Sequence, residues 1–241
     1  MFLIQHHCPY ASLAYLFGCA GQGLAVAVDV HAGEEDRFIT MAEEKGCRIT
    51  HVVDTHIHAD HYSGGPKLAA MTGAEYAVSA QADIQHQHTQ LHHGQCVEIG
   101  NVSFEVLETP GHTDDSICLL VTDHSRGDVP WFLLTGHTLF PGGVGRPDLH
   151  GREHEFAHKL YDSLFTHLLS LPDHVEILPG AEAGSVCGGG ISGKPLSSLG
   201  FEKRLNTGLI RDRERFVTHV TATELEPVEQ IQDFLKHNRG A

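Results

Sequence analysis

The chain has 241 residues, 41% hydrophobic and 20% charged, with a net charge of −15 when its 21 histidines are neutral. That length suffices for one large domain with a well-buried core, and the composition excludes a disordered chain. The negative balance excludes nucleic acid as a natural partner. Six Cys without a C-x-x-C pair point to neither a disulfide framework nor a zinc knuckle.

Residues 11–28 approach the length of a membrane span, yet Gly18, Gly21, Gln22 and Gly23 interrupt them and no Lys or Arg precedes Arg37. Two buried strands over 13–18 and 24–30, joined as a hairpin, are expected, with no membrane anchor and no secretory leader. Cys8, Cys19, Cys47, Cys96 and Cys118 sit mostly among apolar residues and read as small packed hydrophobes. A cytoplasmic location is expected.

A helix over 34–45 follows, stopped by Gly46, then a strand over 49–54. That strand runs into Thr55-His56-Ile57-His58-Ala59-Asp60-His61, three imidazoles and a carboxylate in seven residues. Neutral imidazole is the commonest protein metal ligand, and its second nitrogen needs an orienting partner. A strand ending in such a loop aims several ring nitrogens at one point; the plain alternative is a solvated polar loop. A helix over 66–71 opens with Pro after Ser63-Gly64-Gly65, and a strand over 75–79 follows. The run His86-Gln87-His88-Thr89-Gln90-Leu91-His92-His93 reads as a polar loop near the mouth of the site, the alternative being a chelating surface tract.

Strands are expected over 97–99, 102–107, 116–121 and 131–135. Between them, Pro110-Gly111-His112-Thr113 holds His112 in a tight turn, and Gly136-His137 follows the last. A helix over 153–169, with Phe156, Leu160, Leu164 and Leu168 at helical spacing, stops before Pro172. A strand over 175–178 leads to Pro179-Gly180-Ala181, and helices are expected over 199–206 and 226–237, with Pro227 in the first turn of the latter. Four strand ends thus present reactive turns, as in a layered α/β fold with its site along one sheet edge. Periodicity alone does not choose among such folds. The chain reads as a single domain over 1–241, a motif-bearing core to about 206 and a helical extension over 207–241.

The series His56-x-His58-x-Asp60-His61, Gly111-His112-Thr113, Thr135-Gly136-His137 and Pro179-Gly180-Ala181 resembles the metallo-β-lactamase superfamily over nearly the whole chain. Within it, Thr-His-x-His-Ala-Asp-His, Gly145-Arg146-Pro147-Asp148-Leu149 and Ala183-Gly184-Ser185-Val186-Cys187-Gly188 are similar to persulfide dioxygenases. The resemblance implies an αββα sandwich and a mononuclear non-haem iron enzyme that oxidises glutathione persulfide to sulfite and glutathione. The neighbouring glyoxalase II branch comprises two-metal thiolester hydrolases. Two positions depart from the family pattern: His137 stands where the family has Asp, and Ala181 where it has His.

The departures remove the bridging carboxylate and a ligand of the second metal, so one cation is expected, held by His56, His112 and His137, with His58 ranked just behind them. The family's two-His-one-carboxylate iron face becomes a three-His face, with positions open for a sulfur substrate and dioxygen. Replacing carboxylate by imidazole leaves Fe(II) with a full +2 charge from metal and ligands together. Three His also suit Zn(II), and the metal stays open between iron and zinc. Asp60 and His61 are expected to orient ligands or substrate by hydrogen bonds. Arg146, Lys194 and Arg204 are candidates for holding an anionic thiol, with pairing to Asp148 the alternative for Arg146. Cys187, in its Gly-rich turn, reads either as a thiol of lowered pKa that handles sulfur or as a packed residue. The expected partners are a small thiol persulfide and dioxygen, and a homodimer stays open. A one-zinc thiolester hydrolase and a degenerate, non-enzymatic thiol or metal binder are the alternatives.

Overall fold

The computed structural model describes residues 1–149, 151–222, 228 and 230–241. β1 (Phe2–Cys8), β2 (Ser12–Cys19) and β3 (Leu24–Val28) form an antiparallel meander. Its β2–β3 link closes on Gly23 at a φ of 67°, the expected hairpin. No helix among the described residues is long and apolar enough to cross a membrane. α1 (Glu35–Glu44) leads to β4 (Arg48–Val53), and α2 (Gly65–Thr72) to β5 (Glu75–Ser79) and β6 (Thr89–Leu91). Strands β3 to β6 run parallel and complete a six-stranded sheet in chain order.

The second sheet starts with β7 (Cys96–Ile99), β8 (Val102–Glu108), β9 (Ile117–Asp123) and β10 (Phe132–Gly136), each antiparallel to the next. The chain then makes β11 (Leu139–Phe140) and β12 (Gly143–Gly145), followed by α3 (Glu153–Asp162). β13 (Glu176–Pro179) returns parallel to β10, β14 (Gly188–Gly189) pairs with β12, and β15 (Ser197–Ser198) edges the second sheet. α4 (Leu199–Leu205), α5 (Arg213–Ala222) and α6 (Ile231–Arg239) close the described chain.

Alternation along the strands divides the apolar side chains among three layers. Leu13, Tyr15, Phe17, Val26 and Val53 of the first sheet meet Phe104, Val106, Leu119, Phe132 and Leu178 of the second. The opposite face of the first sheet, with Leu16, Ala27 and Val52, is covered by Phe38, Met41 and Leu68 of α1 and α2. The outer face of the second, with Leu120, Leu133 and Ile177, is covered by Leu160 of α3 and Phe216 and Val220 of α5. Strands covered on both faces read as continuous apolar runs, which is why β2 and β10 stand out in the sequence. The layers are α, β, β, α, the sandwich that the motifs imply.

Several elements differ from expectation. β1 is a partly exposed edge strand with Gln5, His6 and His7 at its centre, so it lacks the apolar alternation that marks a strand. The helix over 153–169 is regular only to Asp162, then widens over Ser163–His167 and tightens over Leu168–Ser170. α5 was not expected, yet it packs Phe216 and Val220 into the outer layer, so the segment beyond 206 is built into the sandwich. The last helix spans Ile231–Arg239 rather than 226–237, and Pro227 lies outside the described residues.

Candidate metal centre

Because β8 and β10 are each antiparallel to β9 while β13 is parallel to β10, all three end on one edge of the second sheet. The turn after β8 carries His112, and the turn after β10 carries His137. The β4 loop of the first sheet brings His56 to meet them. Two glycines make the approach close enough. A Cβ at Gly111, whose φ is 145°, would lie 2.4 Å from Leu160 Cα; one at Gly136, with φ 47°, would lie 2.6 Å from Thr55 Oγ1.

One nitrogen from each of His56, His112 and His137 lies within 4.8 Å of the others, and all three rings are buried. The hydrogen bonds fix which nitrogen is offered. Thr55 Oγ1 donates to Asp29 Oδ2 at 2.9 Å, so at 3.0 Å from His56 Nδ1 it accepts that nitrogen's proton, and His56 Nε2 keeps a bare lone pair. Arg146 O, which can only accept, lies 3.0 Å from His112 Nδ1 and directs the lone pair of His112 to Nε2 in the same way. That Nε2 is 3.3 Å from His137 Nδ1, a spacing that suits two ligands at about 2.0–2.1 Å from one tetrahedral cation. His56 Nε2 is buried with no hydrogen-bond partner. Buried polar atoms rarely stay so, and a cation would satisfy this one. Burial, reinforced by the neighbouring imidazoles, holds His56 well below its ordinary pKa; burial lowers His137 too. Both rings are therefore in the neutral form that binds metal.

Residues that the sequence reading passed over hold this loop. Asp29 follows β3 with a φ of 55° and accepts from Thr55 N–H at 2.7 Å and Thr55 Oγ1. Its Oδ1 is 3.1 Å from His58 Nε2. Burial alone would lower His58, but Asp29, helped by Asp54 and Asp60, outweighs it, and the imidazole is pushed up to about 9. The same pairing holds Asp29 below the usual carboxylate range despite its burial. Asp115 Oδ2 accepts from Ile57 N–H at 2.7 Å, and Asp54 accepts from Ser63 Oγ and Tyr76 OH. Asn238 of α6 donates to His58 O and His61 O, both at 2.8 Å, and accepts from Ser63 N–H at 2.8 Å. Asp29 had a signal, a carboxylate at a strand end on the same sheet edge; Asn238 had none.

His58 lies beside His56, with ring centroids 4.2 Å apart, but its nitrogens group with Asp60 and His61 and with Asp29 and Asp54 rather than with the three clustered imidazoles. Asp60 Oδ1 is 3.0 Å from His61 Nδ1, and His31 stacks on His61 with centroids 3.5 Å apart. Arg146 forks onto Asp148 at 2.7 and 2.8 Å and donates to Val186 O, so it braces the turn that holds His112. Cys187 comes to the site, its thiol grouped with Asp60 and His137. Its thiol is not activated: burial, with the Asp60 carboxylate beside it, pushes its pKa well up, and the Gly-rich turn does not lower it. Arg204 pairs with Asp173 ahead of the first residue of β13, at the far end of that strand from the imidazoles. Lys194 is exposed and outside the cluster. The His-rich run divides around β6, with His86 and His88 lining a surface cavity with Tyr76 and His93 packing against His167. None of its imidazoles joins a metal-competent group among the described residues.

Comparison with known proteins agrees with this geometry. The chain is 26% identical over 224 residues to the mitochondrial persulfide dioxygenase ETHE1 of Bos taurus, covering 93% of this chain and 80% of that protein. It is 33% identical over 174 residues to the hydroxyacylglutathione hydrolase of Polaromonas sp., of which it spans 62%. The crystal structure of ETHE1 from Myxococcus xanthus superposes with a TM-score of 0.86 at 32% identity, covering 99% of this chain and 98% of that one. A family model matches residues 27–180, a stretch that takes in all three clustered imidazoles, and on that match the chain belongs to the metallo-β-lactamase superfamily.

Proposed function

We propose that the chain is a mononuclear non-haem iron persulfide dioxygenase acting on a small thiol persulfide such as glutathione persulfide. The observation that carries this reading is the buried cluster of His56, His112 and His137, with His56 Nε2 and His112 Nε2 turned to one point by their own hydrogen bonds. Similarity to persulfide dioxygenases over 93% of the chain supports it, against 71% for the hydrolase. Held by three neutral imidazoles, Fe(II) supplies a centre of charge +2 for a persulfide anion and for dioxygen. Thr55 and Arg146 O keep His56 and His112 in the ligand tautomer, and Asp29 holds a proton on His58 Nε2. Burial of the whole cluster excludes bulk water from the cation. The net change takes one persulfide, one dioxygen and one water to thiol, sulfite and two protons.

Untagged protein purified without oxygen is expected to hold iron and to consume dioxygen when given glutathione persulfide. His56→Ala or His112→Ala should each lose the iron and reduce oxygen uptake to background. His137→Asp restores the carboxylate of the family pattern and should lower the iron reduction potential, read by redox titration. Iron-loaded protein that takes up no oxygen with persulfide would sink the proposal. Zinc-loaded protein that hydrolyses S-lactoylglutathione would favour the second reading, a thiolester hydrolase, which the 33% identity to a hydroxyacylglutathione hydrolase supports.

A further inference from the structure

We infer that Ser163 is a positioning residue for His112, and that the π-helical turn it opens lets it reach the ligand turn. The role rests on the three-imidazole centre and not on any one reaction performed there. A hydroxyl inside a helix ordinarily returns to the carbonyl four residues earlier. Thr40, Thr72, Thr218 and Thr221 all do so, bonding Asp36, Leu68, Glu214 and Val217 at 2.8–2.9 Å. Ser163 does not. Its Oγ donates at 2.7 Å to Pro110 O, 53 positions away in the turn that carries His112, and the residue is 2% exposed. The same face of α3 meets that turn twice more. Lys159 Nζ lies 2.6 Å from Asp114 Oδ1, and the Leu160 backbone packs on Gly111. Residues 159, 160 and 163 thus grip the turn on both sides of its histidine.

The spacing of apolar residues accounts for the wide turn. Phe156, Leu160, Leu164 and Leu168 recur every four positions, and none is more than 1% exposed. At 3.6 residues per turn such a row drifts by about 40° at each step around a regular helix. A stretch with more residues per turn takes up part of the drift, and wide turns of this kind recur at functional sites. Over Ser163–His167 the helix does this, with Leu168 N–H reaching Ser163 O as well as Leu164 O. Leu164 and Leu168 therefore stay in the apolar layer beneath the second sheet while Ser163 faces the His112 turn. Arg146 O fixes the His112 ring through Nδ1, and Ser163 fixes the backbone from which that ring is aimed. Together they set where His112 Nε2 stands against His137 Nδ1.

The test reads the cation site directly. Metal-free, full-length protein is titrated with Co(II) without oxygen, and the visible ligand-field bands and the rate of cobalt loss to a chelator are recorded. Ser163→Ala should shift the bands and raise the rate about 10-fold, as loss of a ligand's supporting hydrogen bond does. Ser163→Thr, which keeps the hydroxyl, should restore both. Leu164→Ala empties a buried position beside Ser163 but leaves its hydroxyl, so it should lower the urea midpoint and keep the bands. Bands and rate in Ser163→Ala that match the wild type would overturn the proposal. So would an equal shift in Leu164→Ala, which would mark general loosening of the helix. Wild-type protein that takes up no cobalt would sink the three-imidazole centre itself, and the positioning role with it.

Discussion

At the scale of single residues, Asp29 governs the geometry of the ligand loop without belonging to it. Its backbone sits at a φ of 55°, a region that costs most residues about 1–2 kcal/mol. The return is a buried carboxylate that engages Thr55 twice and His58 once. Removing one partner of a buried ion pair leaves an uncompensated charge, so Asp29→Ala should lower stability by about 3–5 kcal/mol in urea unfolding. A loss below about 1 kcal/mol would show that His58 is neutral in the folded protein. The pH dependence has a definite sign. His58 is raised from 6.5 to about 9, so its contribution is complete below pH 6.5 and lost as pH rises through about 9. Metal-free protein should therefore lose stability across that window, and Asp29→Ala should flatten the slope.

At the scale of elements, the centre is made by loops that rigid strands deliver and by a helix that fastens them. Asn238 is 5% exposed, and its side chain makes three hydrogen bonds with residues 58–63. Asn238→Ala strands two buried carbonyls and one N–H, and should cost about 1–3 kcal/mol and hasten metal release to a chelator. An unchanged release rate would show that the loop holds its shape unaided. The three ligand turns were legible in the sequence because each is local: a strand, a turn, a histidine. Asn238 was not legible, since its partners lie 175 to 180 positions away and no local pattern marks it. Cys187 stayed open between an activated thiol and a packed residue for a related reason. A Gly-rich turn invites the idea of backbone N–H groups around sulfur, but which charge a buried thiol meets depends on the distant Asp60.

At the scale of the molecule, the two sheets share one apolar layer, and aromatic side chains tie it together. Phe17 of the first sheet meets Phe104 and Phe132 of the second edge-to-face, with centroids 6.2 and 6.0 Å apart. Phe17→Ala should cost about 3–5 kcal/mol, measured by denaturant unfolding. The sandwich was legible from its motifs and from the apolar runs of its central strands, whereas the half-exposed edge strand β1 and the helix α5 carried no comparable pattern. The reach of Asn238 also has a consequence in time. Synthesis delivers His58 to the cell 180 residues before the side chain that latches it, so a ribosome-bound chain displays its histidines unfastened. The hydrogen bonds that fasten the loop can form only once the downstream helix has been made.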